Sequence, residues 1–231
     1  VSPKKNLWHC LGACHTGGSV VDWVMKSEGV AFRHAVELLR EGVDLSGPVG
    51  PRLATVPKLA CPVDAGAGDA ELLGQVRDYY HQTLKASPEA LSYLERRGLK
   101  SAAAIDTFKL GFANRTLGLR MPDTRRLTGE ELRGRLQKLG VMRQSGHEHL
   151  AGSLVVPISD EGGAVVGLYG RKVTKALRAG TAEHLYLPGP HRAAFNSAAL
   201  AGQRPAILCE ALLDALSFWC AGFRPDTAAY G

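Results

Sequence analysis

An α+β, multidomain architecture is what the hydrophobic periodicity of this 231-residue sequence predicts, and three observations carry that prediction. Apolar residues recur with a helical period through residues 71–112 and switch to a period of two after residue 150. A Gly/Pro-rich stretch at 46–70 separates a short first unit from everything that follows. Near the end, a short apolar run, an amphipathic helix and a second apolar run read as a parallel βαβ unit.

Taken in order, Asn6 to Cys10 reads as a short strand, and the segment from Cys10 to Cys14 reads as a tight turn. Gly17-Gly18 lets the chain reverse, and Ser19 is placed to cap a helix carrying Val20, Val21, Trp23 and Val24 that ends near Gly29. A second helix, with Phe32, Ala35, Val36 and Leu39 as its expected buried face, should stop at Gly42. Little in 46–70 could build a core, since it holds Gly47, Pro48, Gly50, Pro51, Pro57, Pro62, Gly66 and Gly68. Val76, Tyr79, Tyr80 and Leu84 then define one helix face. Ser87-Pro88-Glu89 opens the next helix, which buries Leu91 and Leu94 and ends at Gly98. A short helix is expected at about 101–109. Another is expected at 128–140, where Thr128 and Glu131 have capping-box spacing. Leu154 to Ile158 and Ala164 to Tyr169 form a hairpin across the turn Asp160-Glu161-Gly162-Gly163. Ala206 to Glu210, Ala211 to Ala221 and Thr227 to Tyr230 are the final strand, helix and strand.

The composition excludes several classes. With 45% hydrophobic and 22% charged residues the chain is neither disordered nor a coiled coil. It has no 18-residue apolar run and no signal segment, so no membrane partner is expected. An odd count of five cysteines fits a reducing, cytoplasmic setting better than a disulfide framework. Val1 in place of Met, and a strand-like run ending at Gly231, suggest a piece of a longer protein. The net charge is +6 (28 basic against 22 acidic residues), and residues 115–143 alone carry eight basic against three acidic residues. Such a cluster, with Arg125 and Arg126 at its centre, fits a polyanionic partner such as nucleic acid; a solvated helix face is the plainer alternative.

Two constellations could carry chemistry. Cys10 and Cys14, with three residues between them on a glycine turn, could both reach one tetrahedral Zn²⁺, or could simply be small residues in a turn. Glu210 ends an apolar strand, where α/β folds place ligands, and Asp214 follows one helical turn later. The two carboxylates would suit Mg²⁺, or would serve only to charge a helix N-terminus.

The run Trp8-His9-Cys10, the Cys10–Cys14 turn, Gly17-Gly18, Val20 to Met25 and the Ala35 to Leu39 helix resemble the zinc-binding domain of bacterial DNA primases. Leu208 to Leu216 resembles the first motif of the TOPRIM domain, with Ala211 where the usual form has glycine. Tyr79-Tyr80-His81, Ser92 to Leu99, Phe108 to Ala113 and Gly167-Leu168-Tyr169-Gly170-Arg171 resemble the primase catalytic core between them. The resemblance implies a partial, zinc-ribbon-like domain at 1–45, a linker at 46–70, the helical part of the primase core at 71–150, and a hairpin with the start of a TOPRIM domain at 151–231.

That resemblance further implies DNA-templated synthesis of short RNA primers from nucleoside triphosphates, for DNA replication on a single-stranded DNA template, with a replicative helicase as a further partner. Cys10 and Cys14 would be two of four structural Zn²⁺ ligands, the other two preceding Val1, although the family's pair is usually spaced one residue closer. Glu210, supported by Asp214, would be the catalytic carboxylate associated with Mg²⁺ or Mn²⁺. Arg171 would contact phosphate or template, with Arg192 and His184 as lesser contacts; His184 stands near a position where the family usually has lysine. Two other readings compete: a zinc-dependent single-strand-binding protein of a plasmid or mobile element that makes no primers, and a TOPRIM nuclease or topoisomerase.

Overall fold

In the computed structural model the described residues are all except 13, 43–58, 123–126, 202–204, 225 and 229–231. The chain divides into two compact units, Val1–Cys61 and Pro62–Gly231. Among the described residues no helix is long and apolar enough to cross a membrane. Most of the expected 46–70 linker, and the positions of Arg125 and Arg126, lie outside the described residues.

The first unit pairs β1 (Leu7–His9) antiparallel with β2 (Gly17–Ser19) and continues into α1 (Val20–Glu28) and α2 (Phe32–Arg40). Its helix start is a reciprocal capping box: the Ser19 backbone N–H donates to Asp22 Oδ2 at 2.7 Å, and the Asp22 N–H donates to Ser19 Oγ at 3.4 Å. Gly18 is required here, because a Cβ would stand 2.6 Å from the Asp22 carboxylate that makes this cap. Trp8 donates its indole N–H to Ser19 O at 3.0 Å and meets Trp23 edge-on at 5.2 Å, so its ring braces the strand against the helix. The expected buried face of α2 needs correction. Phe32 is 62% exposed, whereas Leu38, which falls outside the expected set, is fully buried beside Ala35. In a nine-residue helix the one-turn stripe of Ala35 and Leu38 suffices, and Phe32 at the first position falls beyond it.

The second unit opens with α3 (Asp69–Lys85), α4 (Pro88–Arg96) and α5 (Ala102–Thr107). Then come β3 (Gly111–Phe112), α6 (Leu117–Arg120), α7 (Leu127–Lys138), β4 (Ser153–Ser159) and β5 (Val165–Lys172). The chain finishes with β6 (His184–Tyr186), β7 (Ile207–Cys209), α8 (Leu212–Cys220) and β8 (Asp226–Ala228). Helix α7 starts at Leu127, so Thr128 sits inside its first turn instead of capping it, which corrects the capping-box expectation.

Strands β3-β4-β5-β6 form an antiparallel sheet in that order, and β7 pairs with β8 in parallel across α8. Both faces of the antiparallel sheet are covered. Leu154, Val156, Ile158 and Tyr169 join a core with α4, α5 and α8. Val155, Val165 and Leu168 join another with Leu72, Val76, Tyr80, Leu132 and Leu136. That double burial is why Leu154 to Ile158 is a continuous apolar run with no alternation.

Strand β3 survives with two residues because α3 serves its exposed edge. His81 donates its Nδ1–H to Leu110 O at 2.8 Å, and the Thr83 hydroxyl donates to Phe112 O, so carbonyls that would face empty space are satisfied. The helix comes this close because Gly111 lacks a side chain: a Cβ there would lie 2.7 Å from Tyr80 Cβ and 2.9 Å from the Tyr80 carbonyl carbon. Gly111→Ala should therefore lower the unfolding free energy by about 1–3 kcal/mol through overpacking. Urea denaturation measures this, and a variant as stable as the parent would show that α3 does not press on β3.

Candidate nucleic-acid interface

The sheet delivers its charged side chains at the end of β5. Up to Gly170 this strand is apolar or glycine and almost wholly buried; its last two residues are Arg171 and Lys172. Successive side chains leave opposite faces of a strand. Arg171 lines a cavity of about 700 Å³ with Arg96, Arg97 and Lys175, against Glu89 and Glu183. Lys172 lines that cavity and also a second one of about 660 Å³, which Arg115, Arg143 and Arg178 share with the carboxylate of Glu148. The two cavities thus meet at Lys172 and make one basic trough around the strand end.

The trough is short of negative charge. The Lys172 ammonium is held below its ordinary pKa, first by burial and then by the fields of Arg115 and Arg143, while its hydrogen bond to the Ala151 carbonyl fixes its direction. Glu148 does not neutralise these cations at the surface. It is buried, accepts the Leu117 N–H at 2.9 Å and the Tyr80 hydroxyl at 3.1 Å, and burial raises its pKa. Its work is to hold the turn before α6, and that turn carries Arg115 at φ +68°. A non-glycine residue in the left-handed region costs on the order of 1 kcal/mol.

Of the basic run at 115–143, then, only part faces the trough. Arg115 and Arg143 do. Arg120 lies over the Tyr79 ring, Arg133 donates to Gly118 O, and Arg135 ties the carbonyl of Ala65 and the carboxylate of Asp69 to α7. Lys172, Lys175, Arg178, Arg96 and Arg97 carry no signal as phosphate contacts in the sequence alone; only the folded sheet collects them. Arg192 is exposed in the segment after β6, next to His191, whose ring meets Tyr186 at a tilt with the centroids 5.2 Å apart.

The carboxylates expected to bind a divalent ion lie elsewhere, on the parallel pair. Glu210 follows Cys209 in the turn after β7, Asp214 stands in the first turn of α8, and both are exposed. Asp226 is different. It is fully buried at the start of β8, and among the described residues neither carboxylate oxygen has a hydrogen-bond partner. Its register partner is Ile207, three residues before Glu210, or roughly 10 Å along the strand. Burial pushes its pKa up to about 6.

In the first unit, Cys10 and Cys14 share a loop closed by the Cys10 N–H bond to Thr16 O at 2.7 Å. Hydrogen bonds from Thr16 and then Cys10 draw the Cys14 thiol down to about 7. Among the described residues no group of three or more His, Cys, Asp and Glu side chains converges on a metal position.

The second unit is thus a mixed α/β fold with a basic trough at the end of an antiparallel sheet, and comparison with known proteins places it more narrowly. The profile of the DNA primase catalytic core, N-terminal domain family matches residues 79–200, and the chain belongs to that family. It is 26% identical to a DNA primase of Halalkalibacterium halodurans over an alignment 259 positions long, covering 100% of this chain and 39% of that protein. It is 33% identical to a DNA primase of Neisseria meningitidis serogroup A, covering 49% of the chain and 19% of that protein. The chain thus spans about two fifths of the length of the full-coverage relative. Its fold is similar to that of a DnaG primase catalytic domain bound to single-stranded DNA (TM-score 0.57, 25% identity, 71% of this chain and 55% of that one). It is likewise similar in fold to an Aquifex aeolicus primase comprising zinc-binding and RNA polymerase domains (TM-score 0.59, 22% identity, 100% of this chain and 56% of that one).

Two predictions follow from this geometry. Arg115→Gly removes a cation and relieves the positive φ, so the variant should be at least as stable as the parent. It should also bind a single-stranded oligonucleotide more weakly, with the log–log salt slope reduced by about 0.7. Anisotropy titrations at several salt concentrations measure the slope; an unchanged slope would remove Arg115 from the interface. Asp226 has a folded pKa above its ordinary carboxylate value, so its contribution to stability is full below about 3.8 and lost as pH rises through about 6. Asp226→Asn should therefore stabilise the chain at pH 8 by on the order of 1–3 kcal/mol, and change nothing near pH 3.5. Equal effects at both pH values would mean that the carboxylate is solvated.

Proposed function

We propose that this chain is the template-handling part of a DNA primase, working in template-directed synthesis of short RNA primers on single-stranded DNA for DNA replication in the cytoplasm. The observation that carries this reading is the trough that meets at Lys172. Membership of the primase core family and relatives named DNA primase support it over a nuclease, a topoisomerase or a binding protein that makes no primers. Template phosphates would lie along Arg115, Arg143, Lys172 and Arg171, with Arg192 beyond β6 and Arg125 and Arg126 as further candidates. A planar guanidinium offers paired donors to phosphate, and the short supply of carboxylates leaves room for the incoming negative charge.

Primer synthesis joins a 3′-hydroxyl to the α-phosphorus of a nucleoside triphosphate and releases pyrophosphate. Mg²⁺ or Mn²⁺ would neutralise the triphosphate and orient the attack when bound. The donor set fits: such ions are commonly held by one or two carboxylates together with water and substrate phosphates, and Glu210 with Asp214 supplies two exposed carboxylates at the end of a parallel strand. Ala211, the residue between strand and helix, has φ −113° and ψ 146°, a conformation open to any residue, so the TOPRIM-like turn does not need the usual glycine. In the first unit, Cys10 and a Cys14 thiol drawn toward its ionised form suit half of a structural Zn²⁺ site.

Glu210→Gln in the full natural protein tests the chemistry. Primer synthesis should fall by about 10²-fold or more, while oligonucleotide binding stays unchanged because it rests on the trough. A variant that makes primers at the parent rate would remove Glu210 from the reaction.

A further inference from the structure

Arg171 and His184 stand directly opposite each other in the β5–β6 register, and Tyr169 lies two residues back on the same face of β5. The Arg171 side chain is only 16% exposed, so its N–H groups need protein partners. It has two: Glu183 Oε2, 2.7 Å from one terminal nitrogen, and His184 Nε2, which meets the other. A guanidinium can only donate. Nε2 of His184 must therefore carry a lone pair, and the ring proton must sit on Nδ1, where it donates to the Tyr169 hydroxyl oxygen at 2.7 Å. That hydroxyl belongs to a side chain 99% buried in the sheet core, so the imidazole is anchored to a fixed point.

We propose that His184 is a positioning residue: as the neutral Nδ1–H tautomer it holds the Arg171 guanidinium edge-on between itself and Glu183, leaving the remaining N–H groups directed into the trough. This differs from a direct phosphate contact by His184, and it rests on the reading of the trough as a nucleic-acid interface. The surroundings favour the neutral ring. Arg171 from β5 and Arg97 from the end of α4 oppose a charge on it, Glu183 favours one, and partial burial lowers its pKa first of all. Protonating the ring would remove the only acceptor it offers Arg171 and set two cations against each other.

The test has two arms, both on the 231-residue chain at pH 8. Nitrogen-15 NMR of the free protein reads the ring directly: the proton should be on Nδ1, and a ring carrying its proton on Nε2 overturns the proposal. A double-mutant cycle reads the consequence. His184→Ala should weaken oligonucleotide binding about 3–10-fold, the worth of roughly one hydrogen bond, without changing the salt slope. His184→Gln, which keeps an acceptor in place of Nε2, should recover most of that loss. In an Arg171→Ala background His184→Ala should have no further effect; additive losses overturn the proposal in favour of a direct contact. If Arg171→Ala alone leaves binding unchanged, the trough reading fails at this residue and the functional role of His184 fails with it, while the tautomer still reports whether the ring accepts from Arg171.

Discussion

Strand β5 is packed on both faces and then ends in two cations, and most of what this chain can do depends on that transition. While both faces are covered, each side chain has to be apolar or absent, which is why the strand runs Val165, Val166, Gly167, Leu168, Tyr169, Gly170. At the strand end the burial gives way to partial exposure, and Arg171 and Lys172 can be charged. They emerge on opposite faces, so a single strand end supplies cations to two cavities. The neighbouring Arg97, Arg115 and Arg143 come from three other places in the sequence, and the sheet is what brings them within one electrostatic neighbourhood.

Positive charge gathered in this way has to be paid for by buried polar groups that fix the loops. Glu148 does this for Arg115: by accepting from Leu117 and Tyr80 it joins the turn before α6 to α3, and Arg115 is held in a left-handed conformation it would not otherwise prefer. His81 and Thr83 do the same at β3, replacing a missing sheet partner with side-chain donors. His184 plays the corresponding part for Arg171. Asp226 contrasts with all of these. It is a buried carboxylate whose oxygens have no hydrogen-bond partner among the described residues, set at the opposite end of the β7–β8 pair from Glu210, and its charge adds to burial in raising the Cys209 thiol pKa, whereas at Cys220 the field of Arg224 opposes that effect.

Much of this was legible in the sequence wherever the signal was local. Ser19 ahead of Val20, Pro88 after Ser87, and the glycines at 29 and 98 mark helix ends through caps and left-handed turns, and those helices stand where expected. The β4–β5 hairpin was equally plain, since its two runs flank one turn. Strands β3 and β6 were not legible, because two or three residues become a strand only by pairing with a distant partner. The same limit applies to the site. Glu210 could be named from a strand end and Asp214 from the helical turn after it, whereas Arg171 could be named only through the primase resemblance. The basic run at 115–143, by contrast, looked like one surface, although the fold spends Arg120, Arg133 and Arg135 on its own carbonyls, rings and carboxylates. Which cations stay available to a ligand is decided by tertiary hydrogen bonding, and linear charge density does not record that.

The central claim, that the trough meeting at Lys172 is where nucleic acid lies, is tested most directly by amide chemical-shift mapping of the 231-residue chain titrated with an oligothymidylate at low and moderate salt. The account predicts that the largest shifts cluster at Arg97, Arg115, Arg143, Arg171 and Lys172 and shrink together as salt is raised. Shifts confined to α8 and the β7–β8 pair, with those five amides unmoved, would contradict it.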